Sequence, residues 1–417
     1  MKRALFYIAN TRMPNEKANG YQISQMCQAF SESLMDVTIL YPDRVAEHGL
    51  ENTTIQQYYG LRREIPAVAL PTQDFIGATG NSRLFKRFGF LAFLWQTLTF
   101  GRNLVLFLKS TKVRGLPLLY LRDLNLTQWL LWNLPKPLRS QIVAEVHDLS
   151  TKPWRRRRQA RILKRTLAVI ALTQSMKEDL IALGVPATKI LVAHDAVDLK
   201  QFDIGNDQKS SRRYLGWPED RVIASFVGKF HTNGNEKGIP DIIRSATYLL
   251  DRYPALLFYF VGGPSGRVPS YLKLIHDLGL SPDRFVFQDK KPVSEVPYCL
   301  KASDILLMPH PKSLFYSRYV SPLKLFEYMS SKRPIVASNL PSILEVLTHG
   351  KNARLAEPGD PQSIANEIAT LIENSELSIK LAENAYQDVQ SKTWNQRAQS
   401  IQSFWEHEIL CAASPVS

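Results

Sequence analysis

Apolar runs of three to six residues, too brief to be buried helices, recur along this chain and alternate with stretches of helical spacing. The runs at 5–9, 37–41, 118–121, 142–146, 169–172 and 190–193 form one series, and those at 222–227, 256–261, 285–287, 305–308 and 335–337 form another. Strands buried on both faces read as continuous apolar runs, and strand–helix–strand repetition builds a parallel sheet with helices on both sides. Helical spacing marks 21–33 in the first series and 240–251, 268–279, 294–302, 322–331 and 341–347 in the second. The expected fold is therefore α/β, with two Rossmann-like, doubly wound domains. A length of 417 residues, more than one core usually serves, agrees. The domains are expected at 1–194, joined by a C-terminal helix of about 393–410, and at 203–392, with a hinge near 194–202. Ligands of open parallel sheets bind beyond the carboxyl ends of the strands, so the cleft between the domains is the expected site.

Charge narrows the partners. Of the net +14, residues 1–200 supply nearly all, with 28 lysines and arginines against 15 acids, whereas 201–417 carry 24 against 23. A positive field over one domain favours an anionic membrane surface, a phosphorylated acceptor or nucleic acid. Nucleic acid ranks last, because the basic residues are not interleaved with stacking aromatics. Cys27, Cys299 and Cys411 show neither metal-ligand nor redox spacing, which points to a reducing, cytoplasmic compartment and to no metal site. The apolar run near the N-terminus is too short for a signal peptide and reads as the first strand.

Two further segments bear on a membrane. Residues 84–108 are the most apolar stretch, yet the uncharged run 88–101 has only 14 residues, short of the roughly 20 that a spanning helix needs. It suits a core helix or an interfacial one. Trp154 precedes four arginines, and Arg157, Arg161 and Arg165 share one helical face, either solvated or bound to anionic lipid or acceptor phosphate.

The chemistry concentrates after residue 226. Lys229 follows the strand 222–227 through Gly228, and Lys237 precedes Gly238 and a helix that Pro240 would open. Two lysines near a helix start suit a diphosphate; they are also compatible with a surface loop. Ser321 and Pro322 read as N-cap and first residue of a helix whose free N–H groups suit an anion, and Glu327, just over a turn in, suits a ribose diol. A capped amphipathic helix feeding a strand fits the same residues. The chain holds no Asp-x-Asp to bridge a metal to a diphosphate. Asn19-Gly20 opens a helix without a dinucleotide fingerprint; the glycine permits a ligand to approach the backbone, or serves a turn.

In order along the chain, Asn19-Gly20-Tyr21, Tyr120-Leu121-Arg122-Asp123, Glu145-Val146-His147-Asp148, Gly228-Lys229, Lys237-Gly238, Gly262-Gly263-Pro264, Phe287-Gln288, Glu327 and Trp394 to Arg397 resemble the retaining glycosyltransferases of family 4 (group 1), which have the GT-B fold. The segments leading into the hinge, 172–180 and 193–199, are similar to that family as well. The resemblance implies transfer of a sugar from a UDP- or GDP-sugar to a hydroxyl of a saccharide or lipid-linked acceptor, with retained configuration and without metal or cofactor. Cell-envelope or exopolysaccharide assembly is the implied setting. It implies that the Gly20 loop approaches donor and acceptor, that His147 lies beside the transferred sugar, that Lys229 and Lys237 hold the diphosphate, and that the Gln288 backbone meets the base. In a front-face mechanism the Ser321 helix start joins the lysines in stabilising the leaving group, and a phosphate oxygen takes the acceptor proton. One position departs: the family's first glutamate, which contacts the sugar, falls on Tyr319. Pro322 replaces a glycine and cannot donate, so Leu323 and Lys324 offer the backbone N–H groups. The departure leaves open a non-catalytic sugar-nucleotide or membrane-lipid-binding protein of the same fold.

Overall fold

The apolar runs pair side by side because each can bury both of its faces only inside a covered parallel sheet. The structure, a computed structural model, describes residues 2–33, 35–46, 49–75, 83–232 and 235–413. The side chains at 84–88 and 90, part of the expected apolar stretch, lie outside the described residues. The chain divides into two compact units, Met1–His194 with Trp394–Ser417, and Asp195–Thr393.

In the first unit β1 (Arg3–Ile8), β2 (Met35–Pro42), β3 (Ala67–Leu70), β4 (Leu118–Leu121), β5 (Ile142–Val146), β6 (Ala168–Ala171) and β7 (Ile190–Val192) form one sheet in the order β3-β2-β1-β4-β5-β6-β7. Every pairing is parallel. Its helices include α1 (Ala18–Glu32), α2 (Arg83–Ser110), α3 (Leu124–Asn133), α4 (Pro153–Leu163) and α7 (Trp394–Ala413), numbered with two from the second unit. Alternate residues of β1 explain why the run is apolar throughout. Phe6 and Ile8 join Phe100, Leu104, Leu126 and Leu130 from α2 and α3 on one face. On the other, Tyr7 meets Tyr120 at 4.9 Å between ring centroids, and Phe30 of α1 meets Trp405 of α7 at 5.2 Å.

The second unit repeats the plan. Strands β8 (Val222–Lys229), β11 (Leu256–Gly263), β12 (Phe285–Asp289), β13 (Ile305–Met308), β14 (Ile335–Ser338) and β15 (Arg354–Ala356) pair in the order β12-β11-β8-β13-β14-β15, all parallel. A small antiparallel pair, β9 (His231–Thr232) and β10 (Asn235–Glu236), lies outside that sheet. Helices α5 (Ile239–Ser245) and α6 (Leu323–Ser330) follow β10 and β13 respectively. In each unit the strand order reverses beside the first strand, between β1 and β4 and between β8 and β13. At such a switch point the flanking helices leave on opposite sides and open a crevice at the strands' carboxyl ends.

Three features differ from the sequence reading. The strands β3 and β15 and the β9–β10 pair were not expected; β3 is a four-residue edge strand between Pro66 and Pro71, paired among the described residues only with β2. The helix expected over 240–251 ends at Ser245 and tightens into a 3-10 turn, Ala246–Tyr248. The helix α2 runs well past the uncharged stretch, and Leu91–Ser110, with mean hydropathy 1.3, is long and apolar enough by composition to cross a membrane. Within the first unit, however, Ala92, Gln96, Phe100, Leu104 and Leu108 are all buried. Spacing of four makes these one helix face, so that face belongs to the core.

Candidate functional site

In the second unit the polar residues singled out in the sequence gather where the strand order reverses. The strand β8 ends on Gly228 and Lys229, and the β9–β10 pair returns the chain to Lys237, whose N–H donates to Phe230 O at 3.0 Å. Burial, then the neighbouring Lys229, lowers Lys237 to about 8. Gly238, with φ of 89°, is required by packing: a Cβ there would lie 1.8 Å from Pro309 O, just past β13.

The most unusual group is Lys324. Its side chain is buried, its ammonium lies 3.6 Å from the centroid of the Phe226 ring, and it has no hydrogen-bond partner. Gly228 makes room for it, since a Cβ at that residue would stand 3.1 Å from the nitrogen. Burial, with Lys237 adding repulsion, holds Lys324 well below the usual lysine value. His310 is 2 % exposed, stacks on Tyr316 at 4.7 Å, and leaves both ring nitrogens without a partner. Burial, then Lys324 and Lys237, keeps it neutral. Burial likewise pushes Glu327 up to about 7, with Lys324 opposing and Asp195 adding to the rise. A buried lysine without a hydrogen-bond partner and a bare imidazole are costly in the empty protein and become favourable when an anion arrives.

Two helix starts differ from expectation. The Glu236 carboxylate accepts from Gly238 N at 2.5 Å and Ile239 N at 2.9 Å, so the start of α5 is already capped by the protein's own anion. Ser321 does not cap α6: the N-cap is Pro322, and the Ser321 hydroxyl accepts from Asp195 N at 2.8 Å. Leu323 and Lys324 are the first two residues of α6, where helix N–H groups lack intrahelical partners. Tyr319 is 1 % exposed, its ring packed in the core. Gln288 lies near the carboxyl end of the outer strand β12, with its side-chain Oε1 buried and unpartnered.

The first unit carries a cavity of about 400 Å³ at its own switch point, walled by Asn10, Asn19, Arg122, Asp123, His147 and Asp148 among others. His147 is bound on both sides. An Arg122 guanidinium nitrogen lies 2.9 Å from Nδ1, and Glu145 Oε1 lies 2.6 Å from Nε2. Because guanidinium only donates, Nδ1 accepts and Nε2 carries the proton that Glu145 receives. Burial first, then Arg122, lowers His147 from 6.5 to about 4, so it is neutral near pH 7. Glu145 is itself buried in β5 and takes the Tyr120 hydroxyl and an Arg397 nitrogen at 3.2 Å. Burial alone would raise this carboxyl; Arg397, His147 and Arg122 together hold it well below the usual range. The Arg397 side chain also donates to His194 O at 2.7 Å and Ala193 O at 3.2 Å.

Gly20 sits inside α1, and what approaches it is protein: a Cβ would come within 2.0 Å of Tyr59 Oη. That hydroxyl accepts from Asn15 N and donates to Asn15 O, both at 2.8 Å, locking the loop before α1. Arg157, Arg161 and Arg165 are exposed, and of α4 only Gln159 reaches the cavity wall. Sequence reasoning named Lys324 for its backbone N–H alone and assigned no role to His310, Glu236, Glu145 or Arg397. For Glu145 a signal existed: a carboxylate within the otherwise apolar run 142–146 demands a buried cation.

Two Rossmann-like units of this topology define the GT-B class. Residues 221–374 match the family described as Glycosyl transferases group 1, and residues 21–201 match Glycosyltransferase Family 4. The chain belongs to this family of glycosyltransferases. It is similar to a D-inositol 3-phosphate glycosyltransferase of Corynebacterium glutamicum, 27% identical over 228 residues that cover 53% of this chain and 52% of that protein. An uncharacterized glycosyltransferase of Methanocaldococcus jannaschii is 26% identical over 233 residues, 54% of this chain and 56% of the other. The chain thus spans about half the length of the curated relatives it matches. Among solved structures, Anabaena HepE in complex with UDP and glucose superposes with a TM-score of 0.69 at 18% identity, covering 97% of this chain and 100% of that one. A sucrose-phosphate synthase from Thermosynechococcus elongatus superposes with a TM-score of 0.74 at 16% identity, covering 99% and 100%. These likenesses establish the fold.

Proposed function

We propose that the protein transfers a hexose, with retained configuration, from a nucleoside-diphosphate sugar to a hydroxyl of a saccharide or lipid-linked acceptor. The observation that carries this is the Lys324 ammonium, buried and unpartnered beside Gly228 and under the influence of Lys237. In this reading Lys229, Lys237 and Lys324 neutralise the departing diphosphate, aided by the Leu323 and Lys324 N–H groups, while Glu327 takes the ribose hydroxyls and the Gln288 strand end the base. Three ammonium groups supply the positive charge, so no metal or cofactor enters the proposal. With both nitrogens committed and its value near 4, His147 orients the sugar and does not move a proton; a phosphate oxygen takes it. UDP is the first base to test, since it is the nucleotide named in the HepE complex.

A thermal-shift screen of UDP-, GDP- and ADP-sugars tests the donor, with a stabilising shift expected for one base. Affinity for that nucleotide is expected to fall as pH rises through about 8, because the free protein then loses the Lys237 proton that the bound anion favours. No shift with any donor ends this reading. A second reading, a sugar-nucleotide-binding protein without transfer, is favoured only by Tyr319 in place of the family's first glutamate. Product formation from a bound donor excludes it.

We further propose that the protein works at the cytoplasmic face of an anionic membrane, in envelope or exopolysaccharide assembly. Leu91, Leu94, Trp95 and Leu106 of α2, Trp132 of α3 and Trp154 of α4 are all exposed. The helix α3 packs against both α2 and α4, and the exposed Arg155, Arg157 and Arg161 of α4 bring the charge. Apolar side chains beside basic ones suit an interface with anionic lipid. Flotation with vesicles containing phosphatidylglycerol is expected to recover most of the protein at low salt, and pure phosphatidylcholine little. Equal recovery with both removes the charge-driven part of the proposal.

A further inference from the structure

A buried chain of hydrogen bonds in the first unit starts on α7 and ends at the wall of the cavity. Arg397 is fixed before it enters the chain, since its guanidinium also donates to His194 O and Ala193 O at the end of β7. Two of its nitrogens lie 3.3 and 3.2 Å from Glu145 Oε2, the oxygen that also accepts from the Tyr120 hydroxyl. Among the described residues this leaves Glu145 Oε1 to His147 Nε2, 2.6 Å away, while His147 Nδ1 lies 2.9 Å from an Arg122 nitrogen. Only His147 and Arg122 of this set line the cavity. Each link fixes the polarity of the next. An ionised carboxylate only accepts, so Nε2 carries the proton; the neutral ring then offers a lone pair at Nδ1, where a guanidinium, which only donates, can bond. With the proton on Nδ1 instead, two donors would face each other and Arg122 would turn away. As it stands, Arg122 spends N–H groups on His147 and, at 3.5 Å, on Asn19 O, and keeps its charge and further donors.

We propose that Arg397 and Glu145 are positioning residues for sugar transfer, acting through the tautomer of His147 to hold the Arg122 guanidinium at the cavity wall, where its remaining N–H groups bond substrate oxygens. Both ring nitrogens of His147 are spent inside the protein, so the polar contact that this histidine controls is made by Arg122. The device accounts for an expensive feature. A carboxylate inside the buried strand β5 carries a large desolvation cost, and apolar side chains in place of such an ion pair commonly keep or raise stability, so stability alone does not call for one here. What apolar side chains cannot do is select an imidazole tautomer. The proposal rests on the transfer reading, but the tautomer is read without substrate, which keeps the two separable.

The decisive variant is Glu145→Gln, which keeps size and shape. Arg397 and Tyr120 both donate on the Oε2 side, so the amide oxygen is expected to turn there and the NH2 to face His147; Nε2 must then accept, and the ring proton moves to Nδ1, against Arg122. The full chain is labelled with 15N-histidine, and His147→Asn assigns the His147 signals. Wild type is expected to show a protonated Nε2 and a bare Nδ1 near pH 7, Arg397→Lys the same, and Glu145→Gln the reverse, with the melting temperature as a check on folding. Turnover of the nucleotide sugar that stabilises the protein, UDP-glucose first, supplies the second readout. Arg122→Met and Glu145→Gln are each expected to lower kcat/KM about tenfold or more while leaving UDP affinity unchanged. The double variant is expected to lose no more than Arg122→Met alone, because Glu145 acts through Arg122. Losses that multiply in the double variant overturn the proposal, since a merely structural Glu145 would act independently. So does a protonated Nδ1 in wild type, or an unchanged tautomer in folded Glu145→Gln. A wild type that has the expected tautomer yet binds and turns over no nucleotide sugar overturns the transfer reading instead, and leaves the bonded chain standing as the device that places Arg122.

Discussion

Arg397→Met is expected to lower the stability of the first unit by about 3–5 kcal/mol, the cost of stranding a buried carboxylate whose cation has been removed. Arg397 and Glu145 are 252 residues apart in sequence, both are nearly inaccessible, and the arginine additionally ties α7 to the end of β7 through Ala193 and His194. Denaturant unfolding measures the total loss, and hydrogen exchange of the Ile142–Val146 amides assigns it to this sheet. The double variant Glu145→Leu with Arg397→Met is expected to recover much of the loss, because it removes the orphaned charge as well. The single variant also changes the response to acid. In the wild type His147 has a folded value of about 4 against 6.5 when free, so its contribution is present above pH 6.5 and is lost as pH falls toward 4. Glu145, held below its usual 4.5, contributes in the same direction at lower pH. With Arg397 gone the Glu145 carboxyl rises and its share of the acid sensitivity shrinks, since His147 and Arg122 still lower it. A loss under 1 kcal/mol in Arg397→Met would show that Tyr120 and His147 alone satisfy Glu145.

Lys324→Met is expected to move stability and binding in opposite directions. Removing an amino group that is buried without a hydrogen-bond partner relieves a desolvation cost, so the ligand-free protein is expected to gain on the order of 1–3 kcal/mol, less what the Phe226 contact supplied. The nucleotide then loses a desolvated charge partner, which is expected to weaken its binding about 100-fold, from about 3 kcal/mol lost. Calorimetry with a nucleoside diphosphate and urea unfolding of both proteins give the two numbers. Because burial lowers Lys324 in the empty protein, binding of an anion restores its proton, and wild-type binding is expected to take up protons from buffer where the variant takes up fewer. Destabilisation by Lys324→Met with nucleotide affinity intact would make the residue a packing element. Such a trade, stability given up for a site prepared for its ligand, is common where a protein holds a ligand group in place before the ligand comes.

Local pattern carried the architecture well, and the places where it fell short share a cause. The runs 118–121, 142–146 and 305–308 coincide with β4, β5 and β13, because each is an inner strand of its sheet and buried on both faces. The edge strand β3, with exposed alanines and a proline on either side, has no periodic signal; it exists because β2 offers an unpaired edge. At the second unit's site, Lys229, Lys237 and Glu327 were legible from charge beside glycine and a helix start. The capping was not. Ser321 beside Pro322 has every local mark of an N-cap, yet its hydroxyl serves Asp195, and the start of α5 is closed by Glu236. Gly20 reads as room for a ligand and is filled by Tyr59, 39 positions further along the numbering.

The amino-acid sequence by itself determined that the chain folds into two parallel α/β units and where their strands end, because apolar period, glycine and helix signals are properties of neighbouring residues. Tertiary structure alone decided which of the polar groups are spent and which are left. Glu236 and Ser321 are consumed inside the protein, while Lys324, His310 and Asn19 Oδ1 are buried without partners. Whether a group is desolvated, and what it meets when it is, depends on residues brought from far along the chain, and no local period encodes that.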